Sequence, residues 1–92
     1  MLTEQDYTKT FIIIPAYNEK EAISKVLDGL ATLGCPVVVV DDGSLENIKD
    51  QVSKHKNVFY IRHKVNLGQG AALQTGIDFA MKEGAAYLVS FD

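Results

Sequence analysis

Four short hydrophobic segments alternate with three amphipathic segments along this chain of 92 residues. The hydrophobic segments are apolar almost throughout and are rich in β-branched and aromatic residues. That pattern is typical of strands that are buried on both faces of a parallel sheet. The sequence therefore predicts four such strands, at residues 11–14, 37–40, 58–61 and 87–91.

The amphipathic segments predict three helices between these strands. In the first, Asn18 is a candidate N-cap, Gly34 ends the pattern, and apolar residues recur at helical spacing: Ile23, Val26, Leu27, Leu30 and Leu33. The second and weaker helix follows a candidate Ser44 cap and has three apolar positions on one face: Leu45, Ile48 and Val52. The third spans residues 70–83, is closed by Gly84, and is expected to turn four residues inward: Leu73, Ile77, Ala80 and Met81.

The alternation of strands and helices predicts the fold class. The order β-α-β-α-β-α-β implies right-handed crossovers between parallel strands, and therefore a doubly wound α/β sheet. Residues 1–9 are polar and mixed in charge, so we expect an N-terminal extension there and one domain over residues 10–92. Asp92 directly follows the fourth predicted strand, and because domains rarely stop at such a point, we expect a sheet truncated after this strand.

Composition and charge narrow the class of protein. The 47% share of hydrophobic residues and the 23% share of charged residues are those of an ordinary globular chain, not of a disordered one. The net charge of −3 gives no indication of a surface for nucleic acid. The apolar segments are too short to span a membrane, and a single cysteine, Cys35, is typical of a reducing compartment. We therefore expect a cytoplasmic location, with the cytoplasmic face of a membrane left open as the place of action.

Polar residues follow the predicted strands at their carboxyl ends, where open α/β sheets bind ligands. Together they suggest a nucleotide pocket. Tyr17 can stack on a base, a carboxylate of residues 41–42 can accept hydrogen bonds from base N–H groups, and the backbone N–H groups near residues 68–70 can bind phosphate. Asp92 can help to hold a divalent metal that bridges a diphosphate.

Each of these features also has a purely structural interpretation. Asn18 is equally suited to capping a helix, residues 41–44 (DDGS) are typical of a turn, and the glycines of residues 68–70 can simply relieve a tight turn. His55 and His63 belong to a locally basic region that we expect to be mostly solvated surface, and neither indicates a metal site. The sequence contains neither a G-x-G-x-x-G dinucleotide fingerprint nor a P-loop.

Four segments taken together are more specific than any one of them. Residues 11–19 (FIIIPAYNE), 38–44 (VVVDDGS), 66–72 (NLGQGAA) and 89–92 (VSFD) follow in an order and spacing that closely resembles the family 2 glycosyltransferases of GT-A fold. The nearest resemblance is to polyprenyl-phosphate sugar transferases of the dolichyl-phosphate mannose synthase type. It implies a Rossmann-like domain that transfers a sugar from a UDP- or GDP-linked donor to an acceptor such as polyprenyl phosphate or a cell-envelope glycan.

The resemblance also implies roles for individual residues. Three residues of the first segment would line the base and ribose end of the nucleotide: Pro15, Tyr17 and Glu19. Val40 and Asp42 would flank the base, with the Asp42 carboxylate accepting from its N–H edge. Asp92 would be the first Asp of the family's D-x-D element, which binds the donor ribose and a Mg²⁺ or Mn²⁺ ion. Some relatives carry a basic residue near Gln69 that contacts phosphate, whereas Gln69 is neutral.

The resemblance has limits that lead to further expectations. The second Asp of D-x-D, the acceptor-binding half and the catalytic base of inverting relatives have no counterpart here. We therefore expect no catalytic residue in this chain, nucleotide binding without sugar transfer by the chain alone, and self-association through an uncovered edge of the fourth strand.

Two other functions stay open at this stage. One is a receiver-like domain, in which the acidic pair and Asp92 bind Mg²⁺ and accept a phosphoryl group, although the pair follows the second predicted strand and not the first. The other is a non-catalytic scaffold module.

Overall fold

The computed structural model describes residues 3–91, which form a sheet with interleaved helices. The elements in chain order are α1 (Glu4–Thr8), β1 (Thr10–Ala16), α2 (Lys20–Leu30), β2 (Val37–Asp41), α3 (Lys49–Ser53), β3 (Val58–Arg62), α4 (Gln69–Lys82) and β4 (Tyr87–Ser90). All strand pairs are parallel, and the order across the sheet is β3-β2-β1-β4. The predicted α/β, Rossmann-like fold class is confirmed.

The two faces of the sheet carry separate hydrophobic clusters, because successive strand residues point to opposite faces. One cluster packs strand residues against α2 and α3: Ile12, Ile14, Ala16, Ile23, Leu27, Cys35, Val37, Val39, Ile48 and Val52. The other packs strand residues against α4: Phe11, Ile13, Val38, Val40, Ala72 and Ala80. Burial of both faces explains why the segments of β1 and β2 are apolar throughout, and it makes the sheet doubly wound as predicted.

A topological switch point lies between β1 and β4. From β1 the chain passes through α2 to β2 and through α3 to β3, on one face of the sheet. It then returns across the other face in α4 and adds β4 on the free side of β1. Loops that leave neighbouring strands toward opposite faces open a crevice at the carboxyl ends of these strands, where doubly wound proteins bind ligands.

Pro15 helps to open this crevice near the carboxyl end of β1. The Ala16 carbonyl accepts from the Asp42 N–H at 2.8 Å, so the even-numbered residues at this end of β1 bond toward β2. The ladder with β4 ends where the Ile13 carbonyl accepts from the Phe91 N–H at 2.9 Å. Pro15 is the next residue on that side, and it has no N–H with which to continue the ladder. The pairing of β1 with β4 therefore stops at the edge of the crevice.

Two predicted helix caps are wrong. Asn18 has φ +53° and does not cap α2, because Glu19 is the residue directly before this helix. The Asn18 side chain instead accepts from the Leu45 N–H at 2.9 Å. The Ser44 hydroxyl accepts from the Asn18 N–H at 2.8 Å, and α3 begins only at Lys49. Both side chains tie the loop after β1 to the turn after β2, because these loops lie side by side at the end of the sheet.

Two burial predictions are also wrong. The sequence predicts that Met81 faces inward, but Met81 is 59% exposed, and the buried residues of α4 are small ones: Ala72, Gly76 and Ala80. The sequence also predicts a fourth strand that is buried on both faces. The structure places β4 at the edge of the sheet with its side chains exposed. Self-association through this edge stays a prediction.

The first helix, α1, lies within the polar N-terminal segment and outside the core. It begins with a capping box, in which the Thr3 hydroxyl accepts from the Asp6 N–H and the Asp6 carboxylate accepts from the Thr3 N–H. None of its residues is buried. Within residues 3–91, no helix has the length and apolar character that a membrane crossing requires.

Candidate functional site

A cavity of about 450 Å³ lies in the crevice at the carboxyl ends of β1 and β4. Apolar side chains line one part of it: Ile14, Ala16, Ile23, Val26 and Phe91. The other lining residues include loop residues and the first residue of α4: Tyr17, Glu19, Asp42, Asn66, Gly68 and Gln69. The volume is within the usual range for small-molecule sites, and the mixed lining suits a ligand with a flat ring and polar ends.

The structure brings four of the predicted site residues to this cavity: Pro15, Tyr17, Glu19 and Asp42. Tyr17 is 45% exposed, so its ring is accessible to a ligand. Val40 is fully buried beneath α4 and does not line the cavity. Asp92 lies outside the described residues, and its role in metal and ribose binding stays a prediction.

The N-terminus of α4 forms one wall of the cavity. Gly68 precedes the helix with φ +105°, a conformation that favours glycine, and within residues 3–91 no side chain caps the helix. Gly68 and Gln69 line the cavity, so the first N–H groups of a 14-residue helix lie at its edge. Such N–H groups and the helix dipole favour a negatively charged group, for example a phosphate.

The Asp42 carboxylate is buried and accepts four hydrogen bonds. Its Oδ1 accepts from Nδ1 of His63 at 2.8 Å and from the Leu67 N–H at 2.9 Å. Its Oδ2 accepts from the Asn66 side-chain amide at 3.0 Å and from the Gly68 N–H at 2.8 Å. Because a carboxylate has about four acceptor positions, a base N–H would have to displace one of these donors. The direct bond from Asp42 to a base stays a prediction.

These donors keep Asp42 ionised. Burial raises the pKa of this carboxyl, but the Leu67 N–H, the His63 side chain and the Gly68 N–H outweigh burial and lower the pKa below its ordinary value of 3.8. The charged carboxylate therefore ties the loop after β3 to the turn after β2 at neutral pH.

Asp41, the neighbouring carboxylate, stabilises the turn and does not line the cavity. Its Oδ1 accepts from the Ser44 N–H at 3.0 Å. Its Oδ2 accepts from the Tyr60 hydroxyl at 3.1 Å and lies 3.8 Å from Nε of Arg62. Burial, the Asp41 charge and this hydrogen bond raise the pKa of Tyr60 to about 12, so the hydroxyl keeps its proton and donates to the carboxylate.

Gly43 allows the loops after β2 and β3 to touch. Its φ is +75°, and a Cβ at this position would lie 2.5 Å from the Val65 carbonyl carbon and 2.6 Å from the Asn66 nitrogen. These are backbone atoms, which cannot move without moving the loop. The glycine of the DDGS segment therefore serves both the turn and the contact that places Asn66 at the cavity.

The described residues do not form a site for the expected Mg²⁺ or Mn²⁺. Within residues 3–91 there is no group of three or more His, Cys, Asp or Glu side chains that could hold a metal. The carboxylates of Asp41 and Asp42 face N–H and O–H donors, which a cation would have to displace. The metal stays a prediction that rests on Asp92, which lies outside the described part of the chain.

His63 is a residue of this site that sequence reasoning missed. Its place in a locally basic region predicts solvated surface, whereas its side chain is only 11% exposed and bonds to Asp42. Its Nε2 lies 2.8 Å from Oγ1 of Thr75 in α4. The available signal was its position directly after β3, because parallel pairing with β2 brings this position beside the acidic pair.

Comparison with known families identifies the class of protein. The model for glycosyl transferase family 2 matches residues 11–92, a range that includes nearly all of β1, the cavity lining and α4. The chain belongs to glycosyltransferase family 2. The resemblance carried by its four segments is therefore confirmed. Because the members of this family are enzymes, the match supports a transferase over the receiver-like and scaffold alternatives.

Curated relatives of this family 2 chain include several named transferases. The chain is 34% identical, over an alignment of 99 residues, to the UDP-N-acetylglucosamine–dolichyl-phosphate N-acetylglucosaminyltransferase of Methanococcus voltae. This alignment covers 89% of the chain and 39% of the relative. It is 32% identical, over an alignment of 92 residues, to the polyprenol monophosphomannose synthase of Mycolicibacterium smegmatis, and this alignment covers 91% of the chain and 34% of the relative. It is 31% identical, over an alignment of 80 residues, to the dolichyl-phosphate beta-glucosyltransferase ALG5A of Trichomonas vaginalis, and this alignment covers 71% of the chain and 25% of the relative.

The family 2 chain thus spans between 25% and 39% of the length of these three relatives. No solved structure matches the chain significantly.

Proposed function

We propose that the whole protein transfers a sugar from a nucleoside-diphosphate donor to a polyprenyl phosphate, and that the cavity described above binds the nucleotide. The main support is the composition of this cavity at the switch point. It combines an exposed tyrosine, a carboxylate and a helix N-terminus around a volume of about 450 Å³. A nucleoside diphosphate has three matching parts, namely a flat base, ribose hydroxyls and a negatively charged diphosphate.

Each lining group has chemistry for one part of this ligand. We assign stacking on the base to Tyr17, contact with the ribose hydroxyls to Glu19, and a wall of the base pocket to Pro15. The N–H groups at the start of α4 suit the diphosphate. Neutral Gln69 can donate a hydrogen bond there but adds no charge.

Val40 and Asp42 support this site from beneath. Val40 of β2 packs against α4, and Asp42 fixes the loop that carries Asn66 and Gly68. We therefore propose that both residues shape the base pocket. A direct bond from Asp42 to the base additionally requires that one of its four donors leave.

In the proposed reaction, a phosphate oxygen of the acceptor attacks the anomeric carbon of the donor sugar. The bond between that carbon and the diphosphate oxygen breaks, and the nucleoside diphosphate leaves with the added negative charge. The α4 N-terminus can stabilise this charge. We propose that Asp92 helps to hold a Mg²⁺ or Mn²⁺ ion, which when bound neutralises the diphosphate. None of the described residues is assigned as a catalytic base.

The acceptor is proposed from the relatives. Two of the three are named for dolichyl phosphate and the third for a polyprenol phosphate sugar. Polyprenyl phosphates are membrane lipids, so we place the reaction of the whole protein at the cytoplasmic face of a membrane.

The nucleotide site can be tested by calorimetric titration of the 92-residue chain with UDP and GDP, with and without Mn²⁺. We expect one nucleotide to bind with a Kd between about 1 μM and 1 mM. Tyr17→Ala should weaken this binding about tenfold, because base–aromatic stacking contributes about 1–3 kcal/mol. Tyr7→Ala is the matched control, since Tyr7 is 37% exposed in α1 and does not line the cavity.

Absence of binding to the folded chain under all four conditions would contradict a nucleotide site in these residues. Equal weakening by both tyrosine variants would indicate a general loss of structure, not a loss of stacking. The same chain is expected to transfer no sugar to polyprenyl phosphate, and measurable transfer would show that the catalytic groups lie within it.

A further inference from the structure

We propose that His63 is a positioning residue of the nucleotide site. It holds residues 66–68 against the end of β2 through Asp42, and so determines where the N-terminus of α4 lies. This inference rests on the proposed function, because the ligand it supports is the nucleoside diphosphate.

His63 links three parts of the structure. Its Nδ1 is 2.8 Å from Oδ1 of Asp42, and its Nε2 is 2.8 Å from Oγ1 of Thr75 in α4. Its backbone N–H donates to the carbonyl of Asp41 at 2.9 Å. Because the side chain is only 11% exposed, water cannot readily replace either ring contact.

The chemistry of the partners determines the hydrogen positions on the ring. The Asp42 carboxylate can only accept, so Nδ1 of His63 carries a hydrogen and donates it. The Thr75 hydroxyl can rotate, so it donates to a neutral Nε2 or accepts from a protonated one. Both protonation states keep both contacts, and the positioning role therefore rests on the Nδ1 donor and not on the charge of the ring.

The effect of His63 reaches the cavity because Asp42 is shared between several donors. The oxygen that accepts from His63 also accepts from the Leu67 N–H, and the other oxygen accepts from the Gly68 N–H. Gly68 is the residue before α4 and lines the cavity, whereas His63 does not. Without the ring donor the carboxylate loses one of its four donors and is held only by residues 66–68, the segment that it has to position, so both backbone contacts would weaken. His63 thus acts on the ligand through Asp42.

A second histidine provides a matched control. The His55 side chain is 14% exposed and lies 3.5 Å from Asp28. Because His55 precedes β3, it lies at the amino ends of the strands, away from the cavity at their carboxyl ends. His55→Leu and His63→Leu each remove a similarly buried ring. His63→Asn keeps a donor near the Nδ1 position, and His63→Gln keeps one only near the Nε2 position.

Titration of these variants with the nucleotide that the wild-type chain prefers tests the proposal. We expect His63→Leu to weaken binding about tenfold, or about 1.4 kcal/mol, and His63→Asn to bind within about threefold of wild type. His63→Gln should bind as weakly as His63→Leu, and His55→Leu should bind like wild type. Wild-type affinity in His63→Leu, or equal affinity of the Asn and Gln variants, would overturn the proposal. If His63→Leu does not fold, the comparison of the Asn and Gln variants decides.

Amide hydrogen exchange separates this proposal from the nucleotide site itself. The N–H groups of Leu67 and Gly68 are bonded to Asp42, so they should exchange faster in His63→Leu and His63→Gln and remain slow in His63→Asn and His55→Leu. Unchanged exchange in His63→Leu would overturn the positioning role even if nucleotide binds. The expected exchange pattern in a chain that binds neither UDP nor GDP would instead overturn the nucleotide site and leave only a structural link.

Discussion

Asp41 and Asp42 are adjacent in the sequence but act on different sides of the sheet. Successive strand residues point to opposite faces. Asp41 therefore accepts from Tyr60 on the α3 side, whereas Asp42 accepts from His63 on the α4 side. Of these two carboxylates, only that of Asp42 lines the cavity. A pair that suggests shared ligand chemistry in the sequence thus serves as two separate anchors, one for the turn after β2 and one for the loop after β3.

We predict that Asp42 makes the stability of the chain depend on pH in acid. Its pKa in the folded chain lies below the ordinary value of 3.8, so the unfolded chain binds the proton more readily. The stabilising contribution is therefore fully present above about pH 4 and is lost as the pH falls through the folded pKa. Urea unfolding at a series of pH values measures this loss.

The control for this prediction is a pair of Asn variants. Asp42→Asn should show a flatter acid dependence and a lower free energy of unfolding at neutral pH, because one amide oxygen replaces two carboxylate oxygens that serve four donors. Asp50→Asn, at an exposed position of α3, should retain the wild-type profile. An unchanged acid dependence in Asp42→Asn would contradict the prediction.

The residues of the site could be predicted where they depend on strand ends. Pro15, Tyr17 and Glu19 directly follow or end a recognisable strand, and the structure places all three at the cavity. The position of His63 directly after β3 indicates nearness to the acidic pair, but its burial could not be predicted, because it depends on the turn after β2 and on Thr75 in α4. The burial of Val40 follows from the apolar pattern of β2, but its absence from the cavity lining depends on α4, which covers that face of the strand.

At the scale of the element, α4 approaches the sheet closely because its inner face is made of small residues. A Cβ on Gly76 would overlap Cγ2 of Ile13 and lie 3.3 Å from Cγ2 of Val40. Glycine in a helix interior is about 1 kcal/mol less favourable than alanine, so this close approach is the physical reason for its presence. The small inner face also explains why Met81 points to solvent, since it lies off the stripe formed by Ala72, Gly76 and Ala80.

We predict that Gly76→Ala lowers the free energy of unfolding by about 1–3 kcal/mol, because overpacking against a buried strand outweighs the gain in helix propensity. Gly70 lies in the same helix, and among residues 3–91 no atom lies within 4 Å of an added Cβ there. Gly70→Ala should therefore raise the stability by up to about 1 kcal/mol. Urea unfolding of both variants measures the difference, and equal stabilities would show that α4 does not pack as closely as described.

At the scale of the whole molecule, we expect the sheet and its helices to fold without α1. This helix has no buried residue, whereas the carbonyl of Lys9 directly after it accepts from the N–H groups of Ala86 and Tyr87 at 2.9 and 3.2 Å. Phe11 in β1 is 5% exposed and belongs to the cluster under α4. The folding unit should therefore begin close to residue 9.

We predict that a chain starting at residue 9 loses about 1 kcal/mol of stability or less and keeps its nucleotide affinity. A chain starting at residue 12 loses Thr10 and Phe11, which pair with β4, and should fail to fold. Circular dichroism, urea unfolding and calorimetry of the two chains check both expectations. Unfolding of the chain that starts at residue 9 would show that α1 is part of the folding unit.

The order of strands and helices, the α/β class and the family follow from the linear pattern of residues. Periodicity is a local property: an apolar run of four or five residues between turn signals indicates a strand, and motifs at strand ends keep their spacing along the chain. The parallel sheet and its ligand edge follow from that order, because few topologies satisfy it.

Burial at the edge of the sheet and the partners of polar side chains depend on contacts between distant segments. The bond from the Gly68 N–H to Asp42 joins residues 26 positions apart, and the bond from the Leu45 N–H to Asn18 joins residues 27 apart. Asn18 and Ser44 have the chemistry of helix caps, but the adjacent loops supply other partners for both. Only the folded chain shows these partners, because a polar side chain bonds to the donors and acceptors that packing brings within reach.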